Sequence, residues 1–450
     1  MKRKIYSKIA EWKERWQGTT ALLIDGARRI GKSWIVEEFA KNEYKTYILI
    51  DFNNPRDGVT DLFEHSLTDL DSFFVSLSVI YGKRLYKRNS VIIFDEVQMY
   101  PKARAALKYL VKDGRYDYIE TGSLVSINHN VQDIVIPSEE VRIDMYPMDF
   151  EEFMWASGKD MLFEYARKQF GSLKPMGQAL HRQMMEAFRT YILVGGMPQA
   201  VLAYLREGDF RDADAVKRNI ISLYRNDIIK YAGRQAPNVT MIFDNIPGSL
   251  QHHEKRFRPS RLKKRARMRE FQEAMFWLDE SRVANFCYAA TEPSVGLALN
   301  RDDSKVKIYL ADTGLLVSMA FDEADLDQGG IYTKIMKGKL EFNKGMIVEN
   351  IVAQMFKASG HELYFFSSYS KDDSADTMEI DFLLRKGPVT SRHNICPIEV
   401  KSATKYQFTS LEKFERKFNK YLGKSYVLHT GDIAESNGVT FLPIYMAGFL

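Results

Sequence analysis

The sequence predicts an α/β protein that opens with a doubly wound parallel sheet, and three observations carry that expectation. From residue 21 to about residue 150, short apolar segments alternate with stretches of helical periodicity. Between the first apolar segment and the helix after it lies a glycine-bearing loop, Gly26–Gly31. A later apolar segment, Val91–Phe94, runs directly into Asp95 and Glu96. That places two carboxylates at the carboxyl end of a strand, where parallel sheets bind ligands.

Taken in order, Ile5, Ile9, Trp12 and Trp16 recur at helical spacing, so an amphipathic helix comes first. Ala21–Ile24 is the first strand and Ser33–Lys41 the helix after the loop. Tyr47–Phe52 and Val91–Phe94 read as strands buried on both faces, with helical periodicity over Asp69–Tyr86 between them. Tyr116–Ile119 and Val141–Met145 complete the sheet, and the first domain spans residues 1–150. Residues 151–235 read as helices alone, a lid region broken at Gly195-Gly196-Met197-Pro198. Residues 236–320 hold a short helix, a basic stretch, a helix around Glu270–Glu280 and an extended pair, Arg282–Ala289 with Lys307–Ala311. Helix, helix and hairpin fit a winged-helix-like module. Residues 321–450 follow with a helix (Met346–Ser359) and three strands, Glu362–Phe366, Glu379–Leu384 and Ile395–Lys401. A helix (Ser410–Tyr421) and a strand (Ser425–His429) close the order.

Composition narrows the classes. Aromatic residues make up 13% of the chain, too many for extended disorder. Two cysteines, Cys287 and Cys396, are too few for a disulfide framework or a four-cysteine zinc site. The N-terminus is basic but has no apolar core or small-residue cleavage site, and no apolar run is long enough to span a bilayer. The expected compartment is the reducing cytoplasm, with no membrane partner.

The chemistry concentrates in GARRIGKS, Gly26 to Ser33, which matches G-x-x-x-x-G-K-[ST] at every fixed position. Glycines let backbone N–H groups turn inward and approach phosphate oxygens. The following helix adds the positive end of its dipole. A triphosphate would therefore lie on Gly26, Ala27, Arg28, Arg29, Ile30, Gly31, Lys32, Ser33 and Trp34, with Lys32 reaching its outer phosphates. Ser33 and Asp95 are the expected Mg²⁺ ligands, and Glu96 the group that orients or deprotonates the attacking water. The expected cofactors are ATP and Mg²⁺. Thr121 and Ser123, at the end of the next strand, either contact the γ-phosphate and water or cap a turn. Arg142, Arg225 and Arg234 are candidates for an arginine finger, with ordinary surface arginine the competing reading for each.

GARRIGKSW, VIIFDEVQMYP, ETGSL and MYPMDFEEF (Met145–Phe153) resemble a large family of bacterial and archaeal AAA-type ATPases of the signal-transducing, origin-recognition-like branch. YILVGGMPQAV (Tyr191–Val201), YRNDI (Tyr224–Ile228), KIYLADTGLL (Lys307–Leu316) and GMIVENIV (Gly345–Val352) extend the resemblance along nearly the entire chain. It implies an N-terminal P-loop domain, then a winged helix and a restriction-nuclease-like α/β core of unassigned role.

In that last domain Glu399 and Lys401 are two apart on a strand and share a face. With Asp381 on a neighbouring strand and Glu349 on the preceding helix, they have the make-up of a Mg²⁺ nuclease site. Asp381 and Glu399 would hold the metal, Glu349 would assist, and Lys401 would position the water. The competing readings are a fold that has lost its activity and a simple Glu399–Lys401 ion pair. Between Lys255 and Arg269 stand nine Lys and Arg residues and no acid. They are expected to contact DNA phosphates, the alternatives being a solvated helix face or a contact to an acidic surface. Three functions compete: an ATPase coupled to a nucleic-acid-handling module, an ATP-dependent nuclease, and an ATP-regulated switch that binds a protein partner or assembles with itself.

Overall fold

The computed structural model describes residues 1–122, 139–252, 255–294, 296–327, 330–339, 344–370, 376–386, 393–403 and 406–450. They fall into two compact units. The first comprises Met1–Tyr146 with Glu280–Arg282, the second Pro147–Asp279 with Val283–Leu450.

Unit 1 is built on five strands: β1 (Ala21–Asp25), β2 (Thr46–Asp51), β3 (Ser90–Asp95), β4 (Asp117–Gly122) and β5 (Glu140–Asp144). Their order in the sheet is β2-β3-β4-β1-β5, and every neighbouring pair is parallel. All residues of β1, β3 and β4 are buried, as strands covered on both faces require. β4 lies between the strand leading to the glycine loop and the strand ending in Asp95. It therefore carries Thr121 to the middle of the site.

Among the described residues five helices cover the sheet: α1 (Ile5–Trp16), α2 (Lys32–Glu43), α3 (Val59–His65), α4 (Leu70–Tyr81) and α5 (Pro101–Asp113). Asp69 caps α4 through the backbone N–H groups of Asp71 and Ser72, and Gly82 ends it in the left-handed conformation. An aromatic cluster seals one face, with Phe63 making edge contacts to Phe52, Phe73 and Phe94 at 5.2–5.8 Å. Arg3 ties the N-terminus to the site by donating to the carbonyls of Ile30 and Tyr146, both at 2.8 Å.

Unit 2 combines helices with one mixed sheet of eight strands. These are β6 (Ala284–Ala290), β7 (Arg301–Leu310), β8 (Leu363–Ser368), β9 (Met378–Arg385), β10 (Ile395–Val400), β11 (Ser425–His429), β12 (Ala434–Ser436) and β13 (Val439–Pro443). Their order is β12-β13-β11-β10-β9-β8-β6-β7. The β6–β7 hairpin forms as an antiparallel pair, but β6 also bonds β8 in parallel, so the hairpin extends the C-terminal sheet and is no free wing. The residues assigned to a lid, a winged helix and a nuclease-like domain share one compact unit.

Polar contacts explain the Gly195-Gly196 break. The helix Gln178–Val194 stops there and the next begins at Pro198. A Cβ on Gly195 would collide with Asp312, and one on Gly196 with the Met148 carbonyl. The Gly196 N–H donates to buried Asp312 at 2.5 Å, and Lys217 donates to the carbonyls of Leu193 (2.6 Å) and Gly314 (3.2 Å). Thr313 and Gln354 bond at 2.8 Å. The GGMP, LADTG and VENIV segments thus meet as one buried polar junction.

Candidate functional site

The glycine loop runs from β1 into α2 as expected. Gly31 caps α2 with φ +93°, and Arg29 also takes a left-handed φ, +70°. A Cβ on Gly26 would strike the carbonyl of Met145 and the side chain of Ile30, so no larger residue fits. Ala27 and Ile30 are buried, while Arg28 and Trp34 are exposed. The ammonium of Lys32 donates to the carbonyls of Gly26 (2.7 Å) and Ala27 (2.9 Å). Burial lowers the Lys32 pKa, opposed by Glu96, Asp25 and Asp95.

Behind the loop, the Ser33 hydroxyl donates to Asp95 Oδ1 at 2.7 Å, and Thr121 donates to the same oxygen. A hydroxyl and a carboxylate oxygen side by side are hard ligands suited to Mg²⁺. The Glu96 backbone N–H approaches Thr121 Oγ1 at 3.4 Å. Glu96 holds φ +52°, unusual for a side chain with a Cβ, and the Gln98 amide donates to its carboxylate. Lys32, Ser33, Asp95, Glu96 and Thr121 are brought together; Ser123 lies outside the described residues.

Two of the three arginine-finger candidates are held in ion pairs. Arg142 binds buried Asp25 at 2.7 Å and Asp144 at 3.1 Å. Arg225 binds Asp244 at 2.9 Å, and Arg234 is exposed in a short 3₁₀ turn. Sequence reasoning missed Arg282, which belongs to unit 1 and approaches Asp25 (3.4 Å) and Asp144 (3.3 Å).

In unit 2, Glu349, Asp381, Glu399 and Lys401 cluster. Glu349 accepts from Lys255 on one oxygen, and from Lys307 (3.2 Å) and Tyr309 (2.5 Å) on the other. Lys307 also binds Glu379 at 2.9 Å and stands 4.0 Å from Asp381. Asp381 accepts the Val400 N–H at 2.8 Å, and Lys401 binds Glu399 at 2.5 Å. Among the described residues no group of three or more His, Cys, Asp or Glu is arranged to hold a metal ion. Lysines stand against two of these carboxylates at close range, Lys255 and Lys307 at Glu349 and Lys401 at Glu399.

Electrostatics follow the contacts. Burial raises Glu349, but Lys255 and Lys307 outweigh it and hold its carboxyl down at about 2. Burial and the neighbouring Asp381 push Glu399 up to about 7. Sequence reasoning missed Lys307, Tyr309 and Glu379. The available signal was a lysine and a tyrosine two apart in the buried, apolar end of a strand, Val306–Leu310, facing one side.

From Arg258 to Arg269 every Lys and Arg is exposed, with Arg261 on a short helix, Pro259–Leu262, Arg269 on a 3₁₀ turn, Met268–Glu270, and the rest beside or between them. Lys255 and Arg256 are half-buried, Lys255 docked on Glu349 and Arg256 on the Ser367 hydroxyl. No helix among the described residues is long and apolar enough to cross a membrane.

Unit 1 has the sheet order and glycine loop of a P-loop domain. Residues 18–154 match the AAA domain family model, while residues 185–326 and 344–446 match two domains of unknown function, DUF8612 and DUF4143. No curated protein matches the chain. Among solved structures it is similar to the Walker-type ATPase of Pyrococcus abyssi (16% identity, TM-score 0.42, 71% of this chain and 95% of that one). It is also similar to Cdc6p from Pyrobaculum aerophilum (10% identity, TM-score 0.25, 75% and 94%).

Proposed function

We propose that unit 1 binds a nucleoside triphosphate with Mg²⁺ and hydrolyses it. The observation that carries this reading is the Ser33–Asp95 contact at 2.7 Å directly beneath the glycine loop. The backbone N–H groups of the loop and the amino end of α2 would receive the phosphates. Lys32 would exchange its two carbonyl partners for phosphate oxygens. Ser33 and Asp95 would hold Mg²⁺, whose contribution is to neutralise phosphate charge. Glu96, fixed by its backbone and by Gln98, would orient the attacking water and accept its proton. The Thr121 hydroxyl keeps Asp95 in place and stands next to Glu96. The test is Glu96→Gln, which is expected to retain ATP while turnover falls by roughly 10²–10⁴-fold. Unchanged turnover removes Glu96 from this role.

A second reading, supported by the exposed cations of Arg258–Arg269, is that unit 2 contacts nucleic acid through phosphates. Duplex binding is expected to weaken steeply with salt. Replacing Arg261, Lys264 and Arg265 with alanine is expected to flatten the slope of log K against log salt by roughly 0.9 per lost phosphate contact. A slope identical to wild type ends this reading. Turnover measured with and without DNA asks whether the two activities are coupled.

A further inference from the structure

We infer that the ammonium groups of Lys307 and Lys255 take the place of a divalent cation in the acidic cluster of unit 2, which works without metal and anchors the start of the basic segment. The inference goes beyond the nucleotide site and does not depend on it.

An oxygen-by-oxygen count supports it. Hard divalent cations take about six oxygen ligands, and Mg²⁺ keeps several of them as water while one or two carboxylates hold it. Both Glu349 oxygens are engaged, by Lys255 on one side and by Lys307 and Tyr309 on the other. Asp381 gives one oxygen to the Val400 N–H and turns the other towards Lys307. Glu379 binds Lys307, and Glu399 binds Lys401 through one oxygen. The Glu399 Oε1 atom is buried without a hydrogen-bond partner, and Asp381 Oδ1 meets the Lys307 ammonium at ion-pair distance, 4.0 Å. Lys307 is fully buried, with three carboxylates within 4.0 Å of its ammonium. A dication among these oxygens would face that ammonium at contact distance, and the lysine cannot swing into water to make room. Four carboxylates thus meet three ammonium groups, and the cluster comes near neutrality from its own side chains.

Lys255 shows what the arrangement does. It enters the cluster from the end of the basic stretch, and the residues after it are stitched to β7 at the edge of the sheet. Arg256 forms an antiparallel bridge with Lys307, Phe257 N–H donates to the Val306 carbonyl at 2.8 Å, and Arg256 donates to the Ser367 hydroxyl at 2.6 Å. Phe257 is buried against Phe271, with ring centroids 5.8 Å apart. The acidic cluster therefore latches the segment whose next residues are the exposed cations.

The test is Mn²⁺ equilibrium dialysis on nucleotide-free, full-length Lys32→Ala protein, with and without Asp381→Asn. The expected result is no Mn²⁺ bound at sub-millimolar concentration in either chain. One Mn²⁺ per chain that Asp381→Asn removes would overturn the inference. In the same background, Lys307→Met is expected to gain Mn²⁺ binding at least tenfold tighter than its parent. A folded Lys307→Met chain with no gain also overturns it. Should that variant not fold, Lys255→Met replaces it: the amides of Arg256 and Phe257 are expected to exchange hydrogen at least tenfold faster than in the parent. Unchanged exchange overturns the latch.

Discussion

Lys32 and Lys307 are both buried lysines set among carboxylates, and their partners separate them. Lys32 bonds to two neutral carbonyls, so its charge is only partly compensated and burial lowers its pKa. Phosphate oxygens can take over those bonds, leaving behind no buried ion. Lys307 bonds to Glu349 and Glu379 with Asp381 close by. Burial lowers its pKa too, but the three carboxylates outweigh that and raise it well above its ordinary value. Releasing it would strand buried negative charge. The lesson is general: a buried lysine is ready for an anionic ligand when its resting partners are neutral, and fixed when they are ionised.

Three substitutions can break or sharpen this contrast. The largest effect is expected from Lys32→Ala. Losing the cation proposed to meet the phosphates should cut turnover by about 10²–10³-fold or more, while the folded state tolerates the change. ATPase rates together with thermal unfolding check both halves. At the other lysine the order reverses. Glu349→Gln leaves Lys255 and Lys307 short of a counter-charge, and unit 2 should lose about 3–5 kcal/mol in urea unfolding. ATP binding by unit 1 should stay within a few-fold of wild type.

The smallest effect concerns pH. Glu399 is pushed up to about 7 in the folded chain, above the ordinary value of 4.5, so the folded state holds its proton where the unfolded state has released it. Its contribution to stability is present below pH 4.5 and is lost as pH rises through 7, by at most about 3 kcal/mol. Glu399→Gln should flatten the stability curve in that window. Glu349 works in the opposite sense. Held down at about 2, it contributes stability above pH 4.5 that disappears as pH falls towards 2. A Glu399→Gln chain with an unchanged pH profile would show that the carboxyl is better solvated than its burial implies.

Much of unit 1 was legible because its signals are local. The apolar strands, the Gly26–Ser33 loop and the Asp95–Glu96 pair each declare themselves within a few residues, and parallel order follows from strand–helix alternation. Strand ends shifted by one to three residues, as in Thr46–Asp51 for the expected Tyr47–Phe52 and Asp117–Gly122 for Tyr116–Ile119. Unit 2 was harder because its defining pairings are distant. The hairpin between Ala284–Ala290 and Arg301–Leu310 could be read from neighbouring residues, but its parallel pairing with Leu363–Ser368 could not. The Glu399–Lys401 pair was visible from spacing. Lys307 and Lys255, which decide what that cluster can bind, reach Glu349 from 42 and 94 residues away. The strands Ala434–Ser436 and Val439–Pro443 were not anticipated.

The membership of Glu280–Arg282 in unit 1 has a consequence for how this chain comes off the ribosome. Asp25, wholly enclosed at the end of β1, receives guanidinium groups from Arg142 and Arg282. When synthesis has passed residue 146, the second of those arginines does not yet exist. Until residue 282 has emerged, Asp25 can pair with Arg142 but not with Arg282. A gene fragment cut at residue 146 would lack that second guanidinium.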